Sequence, residues 1–63
     1  MYSVIIMEDD ALIRDNIVSF VNNYAEGFVV VASFADGREG IDYLADNKVD
    51  LIITDAKMID ISG

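Results

Sequence analysis

Ser3-Val4-Ile5-Ile6-Met7-Glu8-Asp9-Asp10 is the stretch whose reading decides the fold. Its apolar, largely β-branched residues are cut off by three consecutive acids. A strand with one wet face alternates apolar and polar residues; Val4 to Met7 do not alternate, so both faces of this strand are covered. Such strands sit inside parallel sheets that carry helices on each side.

Past the acids the period changes. Ile13, Ile17, Phe20, Val21 and Tyr24 recur as one apolar stripe of a helix spanning 11–24, with Arg14, Asp15, Ser19, Asn22 and Asn23 on the other side. Asp10 suits the N-cap of that helix, where its charge also matches the helix dipole. Gly27 ends the unit, and the Val-rich stretch 28–34 is a second strand. Asp36 and Glu39 are spaced as a capping box for a second helix. That helix turns Ile41, Leu44 and Ala45 inward and stops near Asn47, a residue that tolerates the left-handed conformation. Asp50-Leu51-Ile52-Ile53-Thr54-Asp55 is the third strand, and residues 56–63 begin as loop. The order βαβαβ predicts an α/β chain with a parallel sheet and right-handed crossovers. The first strand is central in this reading, giving the strand order 2-1-3.

Sixty-three residues make one small domain, near the lower size limit for independent folding. The apolar fraction is 54%, above the roughly 45–50% of ordinary soluble domains. A small domain should be less apolar than average, so some of this surface is expected to be covered by something beyond these residues. Twelve acids against four bases leave a net charge of −8. Phosphate-backbone binding needs Lys and Arg, so direct nucleic-acid contact by this segment is not expected. Cys and His are both absent, which removes disulfides, thiolate chemistry, His-based triads and ordinary zinc sites. Any metal would be held by oxygen, which favours magnesium or calcium. No apolar run approaches the ~20 residues that span a bilayer, and Met1 leads into a strand pattern rather than a signal peptide. A soluble, cytoplasmic protein is the expectation.

In an open parallel sheet, ligands bind beyond the carboxyl ends of the strands, where strand order reverses. The first strand delivers Glu8 and Asp9 there, and the third delivers Asp55. Taken singly these signals are weak, since acids after a strand are usually caps and loop residues. Occurring together at neighbouring strand ends, they point to a site. Carboxylates held close together either raise a pKa or recruit a cation; magnesium (Mg2+) would resolve the conflict and hold a phosphoryl oxygen beside Asp55 for in-line attack by that carboxylate. A glycine-rich phosphate loop after the first strand is lacking, which disfavours dinucleotide and P-loop enzymes. Glu8-Asp9-Asp10 also does not fit the Asp-x-Asp arrangement of dehalogenase-like phosphatases.

Val4-Ile5-Ile6-Met7-Glu8-Asp9-Asp10-Ala11-Leu12-Ile13-Arg14 resembles the opening strand, acid pair and first helix of response-regulator receiver domains. Asp50 to Met58 resembles their phosphoacceptor strand, Asp60-Ile61-Ser62-Gly63 the turn after it, and Ala35-Asp36-Gly37-Arg38-Glu39-Gly40 the entry to the second helix. The resemblance covers the whole chain in the correct order. It implies a partial doubly wound, flavodoxin-like sheet, with residues 1–63 as the N-terminal half of the domain. Asp55 becomes the aspartate phosphorylated by a sensor histidine kinase. Glu8, Asp9 and Asp55 become the metal site, with Asp9 the direct ligand, Glu8 acting through water, and Lys57 contributing only its backbone carbonyl. The first helix and the loop after Asp55 fall where the family meets its kinase, and Gly63 matches the turn glycine.

Two positions depart from the family pattern: Ile59 stands where proline usually follows the methionine, and Ala56 is smaller than the usual aliphatic residue. Losing proline's fixed φ and its restriction on Met58 loosens the expected loop. The family fold continues with two strands and three helices that carry a Ser or Thr and a Lys contacting the phosphoryl group. That Lys would be the only cation beside the acids apart from the metal, so these 63 residues alone are expected to be phosphorylated slowly or not detectably. Any output domain, such as one regulating transcription, would lie beyond Gly63. The third strand is expected to present an open edge, giving a homo-oligomer. Two functions follow: a phosphoacceptor signalling module that is not itself an enzyme, or a non-catalytic receiver-like scaffold for interaction and oligomerisation.

Overall fold

The computed structural model describes residues 1–55. Strand β1 (Tyr2–Met7) leads into helix α1 (Ala11–Tyr24), strand β2 (Phe28–Phe34), helix α2 (Gly37–Asp46) and strand β3 (Leu51–Thr54). The three strands are all parallel, in the order β2-β1-β3. The first crossover runs outward from β1 and the second returns past it. Keeping both right-handed puts their helices on opposite faces of the sheet.

β1 therefore has no exposed face: Val4, Ile5 and Ile6 are 0% exposed and Met7 1%. Val4 and Ile6 face α1, where they meet Val21, Ile17, Val18 and Phe28. On the opposite face, α2 approaches so closely that a Cβ built on Gly40 would overlap the Met7 side chain, standing 2.8 Å from its Cγ. Tyr43 of α2 also lies against Phe34, with ring centroids 5.5 Å apart. Both helices lie over β1 and β2. β3 is left with partly open faces, and Leu51 and Ile52 are each about two-fifths exposed.

Register is set at the amino end of the sheet. The Asp50 amide donates to the Ser3 carbonyl (3.0 Å), while Asp50 Oδ2 accepts from the Ser3 amide (2.7 Å) and hydroxyl (3.2 Å). From that clip the pairs run Val4–Leu51, Ile5–Ile52, Ile6–Ile53 and Met7–Thr54. The β1–β2 ladder is less regular: Val4 pairs with Val30 but Ile5 pairs with Ala32, so Val31 is an inserted bulge residue and is exposed. On the outer side of β2, the Val30 amide donates to the Asn22 side chain of α1 (3.1 Å).

The element bounds agree with the sequence reading to within a residue, and Gly27 makes the tight exit from α1 with φ +85°. Four local expectations are corrected. Of the residues expected inward on α2, Leu44 is half-buried, whereas Ile41 and Ala45 are exposed. Asn47 does stop α2, but in extended conformation (φ −136°), because its side chain donates to the Tyr43 carbonyl (2.9 Å) and closes the last turn itself. The capping box of α2 is made in its forward half alone among the described hydrogen bonds, with Asp36 accepting from the Arg38 amide (2.9 Å). The apolar stripe of α1 is inward through Ile17 and Val21, whereas Ile13, Phe20 and Tyr24 are exposed. Phe20 and Tyr24 instead lie against each other, with centroids 5.5 Å apart.

Gly40 is a sharp test of this packing. Replacing it with Ala gains about 1 kcal/mol of helix propensity but forces a methyl into Met7, which typically costs about 1–3 kcal/mol. Gly40→Ala should therefore lower stability by about 1 kcal/mol net in urea denaturation, the reverse of an ordinary helical Gly→Ala change.

Candidate functional site

The carboxyl ends of β1 and β3 lie side by side because Met7 pairs with Thr54. The next residues are Glu8 and Asp55, so register alone sets these acids just beyond the carboxyl ends of neighbouring strands. Asp9 follows Glu8 at the same end of the sheet. Asp9 and Asp55 are exposed, while Glu8 is buried.

Each acid of the β1–α1 turn has a distinct local task. Glu8 continues the ladder, its amide donating to the Phe34 carbonyl (2.9 Å). Its carboxylate bends forward and accepts from the Asp10 amide (3.2 Å). Asp10 is the N-cap of α1 as expected, with Oδ1 accepting from the Leu12 (2.9 Å) and Ile13 (3.2 Å) amides. Asp9 is thus the member of the trio whose carboxylate is committed neither to the turn nor to the cap, and it projects at the exposed edge. At β3, the Thr54 hydroxyl donates to the Asp55 carbonyl (3.1 Å).

Among the described residues, no group of three or more acidic side chains is drawn close enough to hold a metal ion. Caps explain part of this, since the Glu8 and Asp10 carboxylates are turned onto backbone amides. Lys57, with Ala56, Ile59 and Gly63, lies outside the described residues.

Sequence reasoning missed one residue of this region. The helix period puts Arg14 on the solvent side of α1, yet it is half-buried and its Nη1 donates to the Glu8 carbonyl (2.8 Å). A cation therefore stands beside the acids within the chain itself, against the expectation that they would have none apart from a metal. The available signal was spacing: an Arg one turn into a helix that starts at an acid run can reach back over the N-terminus.

Away from the acids, an apolar groove of about 370 Å³ runs between α1 and β3, lined by Val4, Ile17, Phe20, Val21, Leu51 and Ile53. It contains none of the acids and opens on the α1 face, beside the uncovered strand.

Residues 4–63 match the family model for the response regulator receiver domain. The chain belongs to this family. The receiver domain is also similar to two curated relatives, both named Transcriptional regulatory protein PdtaR, from Mycobacterium tuberculosis strains CDC 1551 / Oshkosh and ATCC 25618 / H37Rv. Each is 38% identical over 55 residues, covering 87% of this chain and 26% of the relative. The chain spans about a quarter of the length of the curated relatives it matches. No solved structure gives a significant match. With its three-stranded parallel sheet in the order 2-1-3, the receiver domain has a partial flavodoxin-like α/β fold. None of its described helices is long and apolar enough to cross a membrane.

The Asp10 cap gives the turn a measurable weight. Asp10→Ala should cost about 1 kcal/mol through the loss of two amide partners at the start of α1, read as a lower urea midpoint.

Proposed function

We propose that this receiver domain accepts a phosphoryl group on Asp55 from the phosphohistidine of a sensor kinase, in a magnesium-dependent step. The observation that carries the reading is the Met7–Thr54 pairing, which sets Asp55 on the strand beside Glu8 and Asp9 in a chain of this family. In kind the donors suit the metal, since these acids offer carboxylate oxygens, which magnesium prefers, although among the described residues they are not drawn together as a group of three. Exposed Asp9 suits a direct ligand, and buried Glu8, already bonded to the Asp10 amide, suits a contact through water. Asp55 would be a third ligand, and Lys57, which lies outside the described residues, would contribute its backbone carbonyl by the family resemblance. Bound there, magnesium would neutralise charge on an approaching phosphate.

Asp55 then acts as nucleophile: its carboxylate oxygen bonds to phosphorus while the bond from phosphorus to the donor's leaving atom breaks, and the leaving group keeps that electron pair. The chain is the acceptor of the group rather than an enzyme acting on a separate substrate. Cytoplasmic location and a role in controlling transcription accord with this reading, the latter because the relatives are named as transcriptional regulators.

Because the Ser or Thr and Lys of the family's second half are not among these residues, the adduct should form slowly: prolonged treatment with a small acyl phosphate and magnesium should add the mass of one phosphoryl group to a minor fraction of the chain, seen by intact-mass spectrometry. Asp55→Asn or chelation of the metal should remove the adduct. An adduct that survives Asp55→Asn would refute the assignment.

The uncovered β3 and its adjoining groove favour a second reading, that of an interaction scaffold without phosphotransfer. The edge of β3 beyond β1 offers backbone groups to another strand, and Leu51 and Ile52 give it apolar surface on both faces. We expect self-association through this edge, with multi-angle light scattering reporting a dimer or larger species at micromolar concentration. A monomer throughout, together with a phosphoryl adduct on Asp55, would leave the first reading standing alone.

A further inference from the structure

The peptide planes on either side of Asp9 are both anchored. The plane joining Glu8 to Asp9 carries the Glu8 carbonyl, which accepts from Arg14 Nη1 at 2.8 Å. The plane joining Asp9 to Asp10 carries the Asp10 amide, which donates to the Glu8 carboxylate at 3.2 Å. Peptide units are rigid and planar, so holding one atom in each plane restrains φ and ψ at the residue between them. The Glu8 amide is itself tied to β2 through the Phe34 carbonyl. Arg14 is the contributor that comes from outside the turn, on the first turn of α1, where its own amide closes the helix onto the Asp10 carbonyl (2.8 Å).

We propose that Arg14 is a positioning residue of the acidic turn: it sets the direction in which the Asp9 carboxylate leaves β1, and so the strength with which that carboxylate takes a divalent cation. The cation part rests on the magnesium reading above. Half-buried and directed at a carbonyl rather than a carboxylate, the guanidinium works through geometry, for which its rigid planar fork suits it better than a flexible ammonium.

Charge and geometry make opposite forecasts here, which renders the proposal decidable. A positive group near acids opposes cation binding by simple Coulomb repulsion, so its removal should tighten magnesium binding if charge were its whole effect. If Arg14 positions the turn, removal should weaken binding despite the gain in negative charge.

The experiment compares the whole chain with Arg14→Met, which keeps the apolar stem and loses the donors, and with Arg14→Lys. Backbone 15N order parameters of Asp9 and Asp10 are measured without metal, and each protein is then titrated with magnesium chloride while amide shifts are followed. Arg14→Met should lower the Asp9 and Asp10 order parameters from about 0.85 to below about 0.6, with Val4 to Met7 unchanged. Its magnesium affinity should fall about 10-fold, and Arg14→Lys should recover part of both losses. Unchanged order parameters, or equal or tighter magnesium binding in Arg14→Met, would overturn the proposal. If Arg14→Met does not fold, Arg14→Lys decides by itself: a partial loss of order and affinity supports positioning, and wild-type behaviour overturns it. If the wild-type chain shows no magnesium shift, the magnesium reading fails separately. The positioning role is then judged on the order parameters alone.

Discussion

A strand with no exposed face needs a layer of structure on each side of it, and β1 imposes that requirement on the whole chain. Val4 and Ile6 demand one helix, Ile5 and Met7 the other, and crossovers of fixed hand deliver them on opposite faces. The two sides are met differently. α1 contributes bulky side chains, Ile17 and Val21, over Val4 and Ile6. α2 contributes the absence of one, at Gly40, so that Met7 can lie against helix backbone. Shape is conserved across the sheet by pairing large with large on one face and large with nothing on the other.

The acids inherit their placement from that arrangement. β1 can only end where its apolar run ends, and the residues that follow are Glu8, Asp9 and Asp10. Asp55 reaches the same end because the Ser3–Asp50 clip holds β3 in register from the far end of the sheet. A slip of one residue would turn Ile53 away from α1 and displace Asp55 from its place alongside Glu8. Cap chemistry then separates the acids. Glu8 and Asp10 spend their oxygens on backbone amides, while Asp9 is held at the exposed edge between two anchored peptides.

Much of this could be read directly from the residues. The lost alternation in Val4 to Met7, the N-cap at Asp10 and the acids at strand ends are local facts, and the central place of β1 follows from its unbroken apolar run. What escaped were contacts whose outcome depends on a partner's position. Phe20 and Tyr24 fit an inward stripe by period, but whether they are covered depends on what lies across β3, and they are exposed. Asn47 is of a type that tolerates the left-handed conformation, yet its amide closes the helix from extended backbone. Val31 becomes a bulge only once two strands are laid together. Arg14 was misassigned because a position on the helix wheel says where a side chain starts, and a long one can end elsewhere.

The Ser3–Asp50 clip also has a kinetic meaning. Its partners are 47 residues apart in the chain, so closing that loop carries the largest entropic cost among the described side-chain bonds. β1, α1 and β2 can form from nearer neighbours, and β3 must wait for them before it has a strand to join. The edge bearing Asp55 is therefore expected to assemble last and to come away first. A population that has lost β3 would retain most of its helix signal while Asp55 is no longer held beside Glu8. The docking of the strand that leads to Asp55 and the folding of the helices need not, then, follow a single equilibrium.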